Sequence, residues 1–210
     1  MALSDNPRWQ ARISPFLIRR LYKHADQIVS VSKAISEELI SQYGVKRSKT
    51  SVIYNAVVDN KLIEKSNEPF SNPYFDHNKI PMILGVGRLT SQKDFPTLLR
   101  SFSILRKKEL CKLVILGEGE LLSELKELTK QLQISEDVYF PGFVENPYSW
   151  MKHSKLFVLS SAYEGLPNAL IQAMACGTRV ISTDCPTGPM EILDSGKWGK
   201  LVSVGNYKEL

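Results

Sequence analysis

The sequence predicts an α/β protein built on a doubly wound parallel sheet, and three observations carry that prediction. Short apolar runs at residues 82–86, 112–116 and 156–160 have the length and composition of strands covered on both faces. Stretches with helical spacing lie between them, so strand and helix alternate along the chain. Loops that follow these runs carry glycine, arginine, lysine or glutamate at the edge where open α/β sheets bind ligands.

From the N-terminus, Arg8, Arg12, Arg19, Arg20 and Lys23 interleave with Trp9, Phe16, Leu17, Ile18, Leu21 and Tyr22. That pattern suits a basic amphipathic helix resting on an anionic membrane, and equally a domain helix with an exposed basic face. A strand at 27–32, a helix at about 33–43 and a strand at 50–54 follow. Residues 55–79 are polar and broken by Pro69 and Pro73, as an irregular surface segment would be. From residue 80, strands near 82–86, 112–116, 137–140, 156–160, 179–183 and 200–203 alternate with helical stretches. These segments are not copies of one another, which argues against a solenoid.

Two segments concentrate the chemistry. In one, the run 155–160 leads through Ser161, Ala162 and Tyr163 to Glu164, after which Pro167 opens a helix that Gly177 ends. The N–H groups of the helix start near Asn168 and Ala169, with the helix dipole, would hold a phosphate. Glu164 stands just outside that start, where it would accept hydrogen bonds from hydroxyls. Phosphate plus hydroxyls points to a sugar nucleotide; an ordinary strand-turn-helix unit with a solvated glutamate is the plain alternative.

In the other, the strand at 82–86 passes through Gly85 and Gly87 to Arg88 and Lys93, then into a helix whose apolar face runs through Leu98, Leu99, Phe102 and Leu105. Two cations at the sheet edge can neutralise a diphosphate, arginine as a planar fork and lysine as a point charge. The alternative is a pair of solvated surface cations. The pairs Gly85/Gly87 and Gly117/Gly119 permit a ligand close to the backbone, though neither completes Gly-x-Gly-x-x-Gly. Glu118 is either a ligand contact or a solvated loop acid. Cys185-Pro186-Thr187-Gly188-Pro189-Met190-Glu191 also follows a strand, with Gly188 open to close approach and Glu191 a helix-start acid or a ligand contact.

Together these residues resemble the retaining nucleotide-sugar glycosyltransferases of the GT-B fold, in the large family of bacterial glycan and lipopolysaccharide-type transferases. Four blocks carry the resemblance: Val29-Ser30-Val31-Ser32 with Val52-Ile53-Tyr54-Asn55-Ala56-Val57; Gly85 through Lys93; Leu116-Gly117-Glu118-Gly119 with Phe140-Pro141-Gly142-Phe143; and Glu164 through Gly177. They follow the family's order and spacing from about residue 25 onward. The resemblance implies a Rossmann-like donor domain in which Arg88 and Lys93 bind the diphosphate, Glu164 contacts sugar hydroxyls, and Asn168 and Ala169 open a phosphate-binding helix. It implies that Gly87, Gly117, Glu118, Phe143 and Val144 border the donor, Phe143 and Val144 beside the base. One position departs: the family usually places a second glutamate eight residues after the first to hold the ribose diol, and Gln172 stands there. An amide accepts from one hydroxyl and donates to another, at a cost of roughly 1 kcal/mol against a carboxylate.

By the same resemblance, residues 1–56 are the end of an N-terminal GT-B domain with the crossing segment, 57–79 a linker or irregular surface segment, and 80–210 the nucleotide-sugar-binding domain. The whole reads as an interior slice of a longer enzyme, ending where a further helix should begin. The implied reaction moves a hexosyl or N-acetylhexosaminyl group to a glycan or lipid-linked acceptor with retention of configuration, Arg88 and Lys93 stabilising the leaving diphosphate. No cofactor is expected: metal-dependent glycosyltransferases of the other main fold use an Asp-x-Asp pair, which this sequence lacks. A non-catalytic nucleotide-sugar-binding fragment and a GT-B sugar-nucleotide epimerase are the alternatives.

Composition is consistent with a cytoplasmic enzyme, at the inner face of the membrane if the basic helix engages lipid. With 210 residues, 43% of them apolar, the chain can bury one core and part of another. Cys111, Cys176 and Cys185 lack Cys-x-x-Cys spacing and read as small buried hydrophobes in a reducing compartment. His24, His77 and His153 are scattered, and no apolar run approaches the roughly 20 residues that span a bilayer. The net charge of +5 comes with no recognition-helix or aromatic-sheet signature, so nucleic acid is not an expected partner.

Overall fold

The computed structural model describes residues 16–71, 73–77 and 79–210, which fall into two compact units, Met1–Asn55 and Ala56–Leu210. In the first unit, α1 (described over residues 16–21) precedes β1 (Ile28–Ser30), α2 (Lys33–Tyr43) and β2 (Thr50–Val52). The two strands pair in parallel with α2 as the crossover. Helix α2 forms where the sequence punctuates it: the Ser32 hydroxyl accepts from the Ile35 N–H, and Gly44 ends it in the left-handed region at φ 70°. Of the expected basic helix, Arg8, Trp9 and Arg12 lie outside the described residues, while Phe16, Leu17 and Leu21 are exposed beside Arg19 and Arg20.

The second unit carries six parallel strands: β3 (Met82–Val86), β4 (Lys112–Leu116), β5 (Val138–Gly142), β6 (Leu156–Leu159), β7 (Val180–Thr183) and β8 (Lys200–Val202). Their spatial order is β5-β4-β3-β6-β7-β8. Residue alternation divides each strand between two cores. Ile83, Leu113, Ile115 and Val158 pack under α4 (Phe95–Arg106) and α5 (Leu122–Gln131). Met82, Leu84, Val114, Leu116, Phe157 and Leu159 pack under α6 (Pro147–His153) and α7 (Asn168–Ala175). The chain winds outward from β3 to β5, then returns to β6 and winds the other way. The order therefore reverses between β3 and β6, the place where an open α/β sheet leaves a crevice at its carboxyl edge.

Three local expectations are corrected. The 57–79 segment is not simply irregular: α3 (Asn60–Ser66) forms there, with its Asp59 cap accepting from the Leu62 N–H. Leu62 is buried, and Asn146 on the α6 side donates to the Lys65 carbonyl at 2.9 Å. Pro167 occupies the N-cap of α7 rather than its first turn, and the helix begins at Asn168. On α4, Leu98, Leu99 and Phe102 are buried as expected, but Leu105 is exposed and Phe95 takes up the packing instead.

Candidate functional site

Loops from the carboxyl ends of β3, β4, β5, β6 and β7 meet at the crevice. The loop after β3 lies against the loop after β4: Gly87 N–H donates to the Leu116 carbonyl at 3.0 Å, and Leu89 N–H to the Glu118 carbonyl at 2.8 Å. The approach is so close that a Cβ on Gly117 would fall 2.1 Å from the Gly87 carbonyl oxygen, and Gly117 has φ 131°. Gly117 and Gly119 thus admit a second stretch of backbone, while the space over Gly87 is taken by the Lys93 side chain. What their closure leaves open is a cleft of about 350 Å³ bordered by Gly87, Arg88, Gly117, Glu118, Phe143 and Val144, with Val86, Leu116 and Pro147 completing an apolar wall. Arg88 is exposed at its rim and Phe143 is 75% exposed.

The loops after β3 and β6 are joined side by side. Ala162 N–H donates to the Gln92 carbonyl at 2.8 Å, and Gln92 Nε2 returns a bond to the Tyr163 carbonyl at 3.0 Å. Between them Lys93 Nζ meets Glu164 Oε1 at 2.5 Å, with side-chain exposures of 16% and 7%. Lys93 is therefore no solvated surface cation: its charge is held against the carboxylate. Ser161 donates to the same Oε1 at 2.7 Å, leaving Oε2 as the oxygen that can accept from a ligand.

A further loop, after β7, packs against Glu164. Thr187 Oγ1 donates to the Glu164 carbonyl, and Gly188, at φ 95°, lies so close that a Cβ there would sit 2.4 Å from Pro167 Cδ. Cys185 is buried beside this loop; burial first, then the negative charge of Glu164, pushes its thiol up to about 11. Helix α7 starts directly after this cluster. Asp94, Asn146, Ser32 and Asp59 each cap a helix with a side chain, whereas Leu121 before α5 and Pro167 before α7 do not. A helix start in a ligand crevice suits an anion.

The expected site residues thus form three groups. Gly87, Arg88, Gly117, Glu118, Phe143 and Val144 share the cleft; Lys93 and Glu164 form the ion pair; Asn168 and Ala169 open α7. Gln172 lies one turn into α7, half-buried, and does not border the cleft. Ser160, Ser161, Thr183 and Thr187 also belong to this cluster, although the sequence assigns none of them a site role. A serine pair ending an apolar strand run directly before an acidic turn is the signal available for the first two. Among the described residues, no group of three or more His, Cys, Asp or Glu side chains is placed to hold a metal, and no helix is long and apolar enough to cross a membrane.

Residues 67–210 match the family described as glycosyl transferases group 1, and residues 2–61 match glycosyltransferase family 4. A relative in Campylobacter jejuni, named as an N-acetylgalactosamine-N,N'-diacetylbacillosaminyl-diphospho-undecaprenol 4-alpha-N-acetylgalactosaminyltransferase, is 37% identical over 198 residues, covering 94% of this chain and 52% of the relative. An uncharacterized glycosyltransferase of Methanocaldococcus jannaschii is 41% identical over 174 residues, covering 82% of this chain and 43% of its own length. The chain spans about half the length of the curated relatives it matches. Among solved structures, the lipopolysaccharide outer core galactosyltransferase WaaB in its apo form superposes with TM-score 0.70 at 28% identity, over 88% of this chain and 50% of that one. An Anabaena protein, Alr3699/HepE in complex with UDP-glucose, shares the fold with TM-score 0.78 at 21% identity, over 95% of this chain and 57% of its own.

Proposed function

The chain belongs to the group 1 glycosyl transferases, of the GT-B type, and from that premise we propose that it forms the donor side of an enzyme moving a hexosyl or N-acetylhexosaminyl group from a nucleotide sugar to a glycan or lipid-linked acceptor, with retention of configuration. The observation that carries this reading is the Lys93–Glu164 ion pair beside the apolar cleft and Arg88, at the one point where the strand order reverses. A base fits the cleft between Phe143 and Val144, and Arg88 at its rim meets the diphosphate. Lys93 Nζ has three donors, of which Glu164 uses one, so it can bind a phosphate oxygen without releasing the carboxylate. The start of α7 at Asn168 and Ala169 receives the phosphate next to the sugar. Glu164 Oε2 accepts from sugar hydroxyls, and Gln172 serves the ribose. Arg88, Lys93 and the helix start supply the positive field that a departing diphosphate needs, so the reading assigns no metal or other cofactor.

The acceptor class draws on the relatives named for a diphospho-undecaprenol-linked substrate and for lipopolysaccharide 1,6-galactosyl transfer. A lipid-linked acceptor would place the enzyme at the cytoplasmic face of a membrane, where Phe16, Leu17 and Leu21 beside Arg19 and Arg20 offer a peripheral contact. The donor assignment is tested by calorimetric titration with UDP, GDP, ADP and their sugars. Binding of at least one with millimolar or better affinity is expected; a folded sample that binds none overturns it.

A further inference from the structure

Ser160 and Ser161 directly follow β6. On consecutive positions of an extended chain their side chains leave on opposite sides, and each hydroxyl grips a different member of the ion pair. Ser160 Oγ donates to the Lys93 backbone carbonyl at 2.8 Å, and Ser161 Oγ donates to Glu164 Oε1 at 2.7 Å. Ser161 is 0% exposed, and its own carbonyl accepts from Thr183 Oγ1 at 2.6 Å, at the end of the neighbouring strand β7. Thr187 holds the Glu164 backbone. Thr183 thus fixes Ser161, Ser161 fixes the carboxylate, and Thr187 fixes the chain that carries it.

Lysine alone would not orient Glu164. An ammonium is a compact point charge on a flexible stem, with little preference between two carboxylate oxygens. A hydroxyl has one hydrogen and a short reach, and here that hydrogen selects Oε1. We propose, resting on the Glu164–sugar contact above, that Ser161 is a positioning residue for donor recognition: its hydrogen bond to Oε1 locks the Glu164 carboxylate with Oε2 turned to the sugar hydroxyls. Ser161 touches no substrate; it fixes the plane of the carboxylate, and so the direction in which the outward oxygen meets the sugar. Because one oxygen accepts from both Lys93 and Ser161, tilting the carboxylate out of this plane would strand two part-buried donors.

The test uses the whole chain and a panel of UDP-glucose, UDP-galactose, the two UDP-N-acetylhexosamines, GDP-mannose and ADP-glucose. The sugar nucleotide that binds best is compared with its own nucleoside diphosphate. Ser161→Ala should shift the ratio of the two dissociation constants at least fivefold against the sugar nucleotide, while affinity for the bare nucleotide stays within twofold. Ser161→Thr, which keeps a hydroxyl, should restore the ratio to within twofold. Ser182→Ala removes another fully buried hydroxyl, one that donates to the Thr183 carbonyl at 2.8 Å, and should lower the melting temperature without moving the ratio. Ser161→Cys, close in size but a weak donor, carries the test if the alanine variant does not fold. A merely structural serine would weaken both ligands in step with the melting temperature. An unchanged ratio in Ser161→Ala, with Glu164→Ala shifting it, overturns the proposal alone. An unchanged ratio in Glu164→Ala overturns the sugar contact itself, and a wild-type chain that binds no member of the panel overturns both.

Discussion

The two halves of the crevice are built in opposite ways. On the side of the apolar cleft, the loops after β3 and β4 lie backbone on backbone, a closeness that Gly117 permits, and the side chains at the rim, Arg88 and Phe143, are exposed. On the side of Glu164, side chains carry the chemistry: an ion pair joins residues 71 apart in sequence, and buried hydroxyls hold the Glu164 carboxylate and the Lys93 main chain. The first half has its shape set by main chain and leaves its rim side chains free to meet a ligand. The second has its chemistry set before any ligand arrives. A crevice of this kind holds one end of a ligand by area and charge and reads the other end through a few fixed hydrogen bonds.

The largest effect should come from the backbone contact that shapes the cleft. Gly117→Ala would push a methyl to 2.1 Å from the Gly87 carbonyl at a φ of 131°, which side chains rarely adopt. Separating the two loops should cost about 4 kcal/mol, read by urea denaturation. A loss below about 1 kcal/mol would show that the loops can part freely, and that the cleft side is no more rigid than its rim.

Breaking the other half should cost somewhat less. Lys93→Met leaves a carboxylate that is 7% exposed without its counter-charge, a change worth about 3 kcal/mol when a buried pair loses one partner. The double variant Lys93→Met/Glu164→Leu should recover most of that stability while abolishing discrimination between nucleotide and nucleotide sugar. If the single variant is as stable as wild type, the pair is solvated in practice and the contrast between the halves collapses.

Arg88→Ala sharpens the comparison from the open side. An exposed guanidinium contributes little to folding, so stability should change by less than about 0.5 kcal/mol. Nucleoside diphosphate affinity should fall by roughly 1.5–3 kcal/mol, the value of a hydrogen bond to a charged group. Equal titration curves for variant and wild type would assign the diphosphate to Lys93 and α7 alone.

These halves were unequally legible in the sequence. The strands were readable because a parallel strand buried on both faces is apolar without interruption, as at 82–86 and 112–116. Arg88 could be placed at the ligand edge because it follows such a run, and position after a strand is a local property, whereas Phe143 and Val144 came only from the family resemblance. The pairing of Lys93 with Glu164 is not local: it depends on β3 and β6 becoming neighbours, a fact of sheet order. The same reason hid Thr183 and Thr187, which act from β7 and its loop on residues of the β6 loop. Helix α3 escaped because seven residues with one deeply buried leucine carry too short a period, and its packing partner, Asn146, lies far along the chain.

The smallest expected effect reports on the closed half from a distance. Burial is the main reason the Cys185 thiol stands at about 11, and the charge of Glu164 is the next. Because the raised value favours the protonated form in the folded chain, this thiol's contribution to stability is complete below the unfolded thiol's range near ~8.5. That contribution should fade as pH climbs from there through about 11. In a Cys111→Ser/Cys176→Ser background, ultraviolet titration of the remaining thiolate should show its midpoint moving down in Glu164→Gln, because a negative charge is removed and Lys93 is left uncompensated nearby. Asp184 also raises the thiol and burial persists, so the midpoint should stay above that of an exposed cysteine. Glu118→Gln, on the cleft side, should leave it in place, since that carboxylate is not among the charges acting on Cys185. An equal shift from both variants would mean that the two halves share one electrostatic environment, and that the fixed carboxylate is not confined to the sugar side of the crevice.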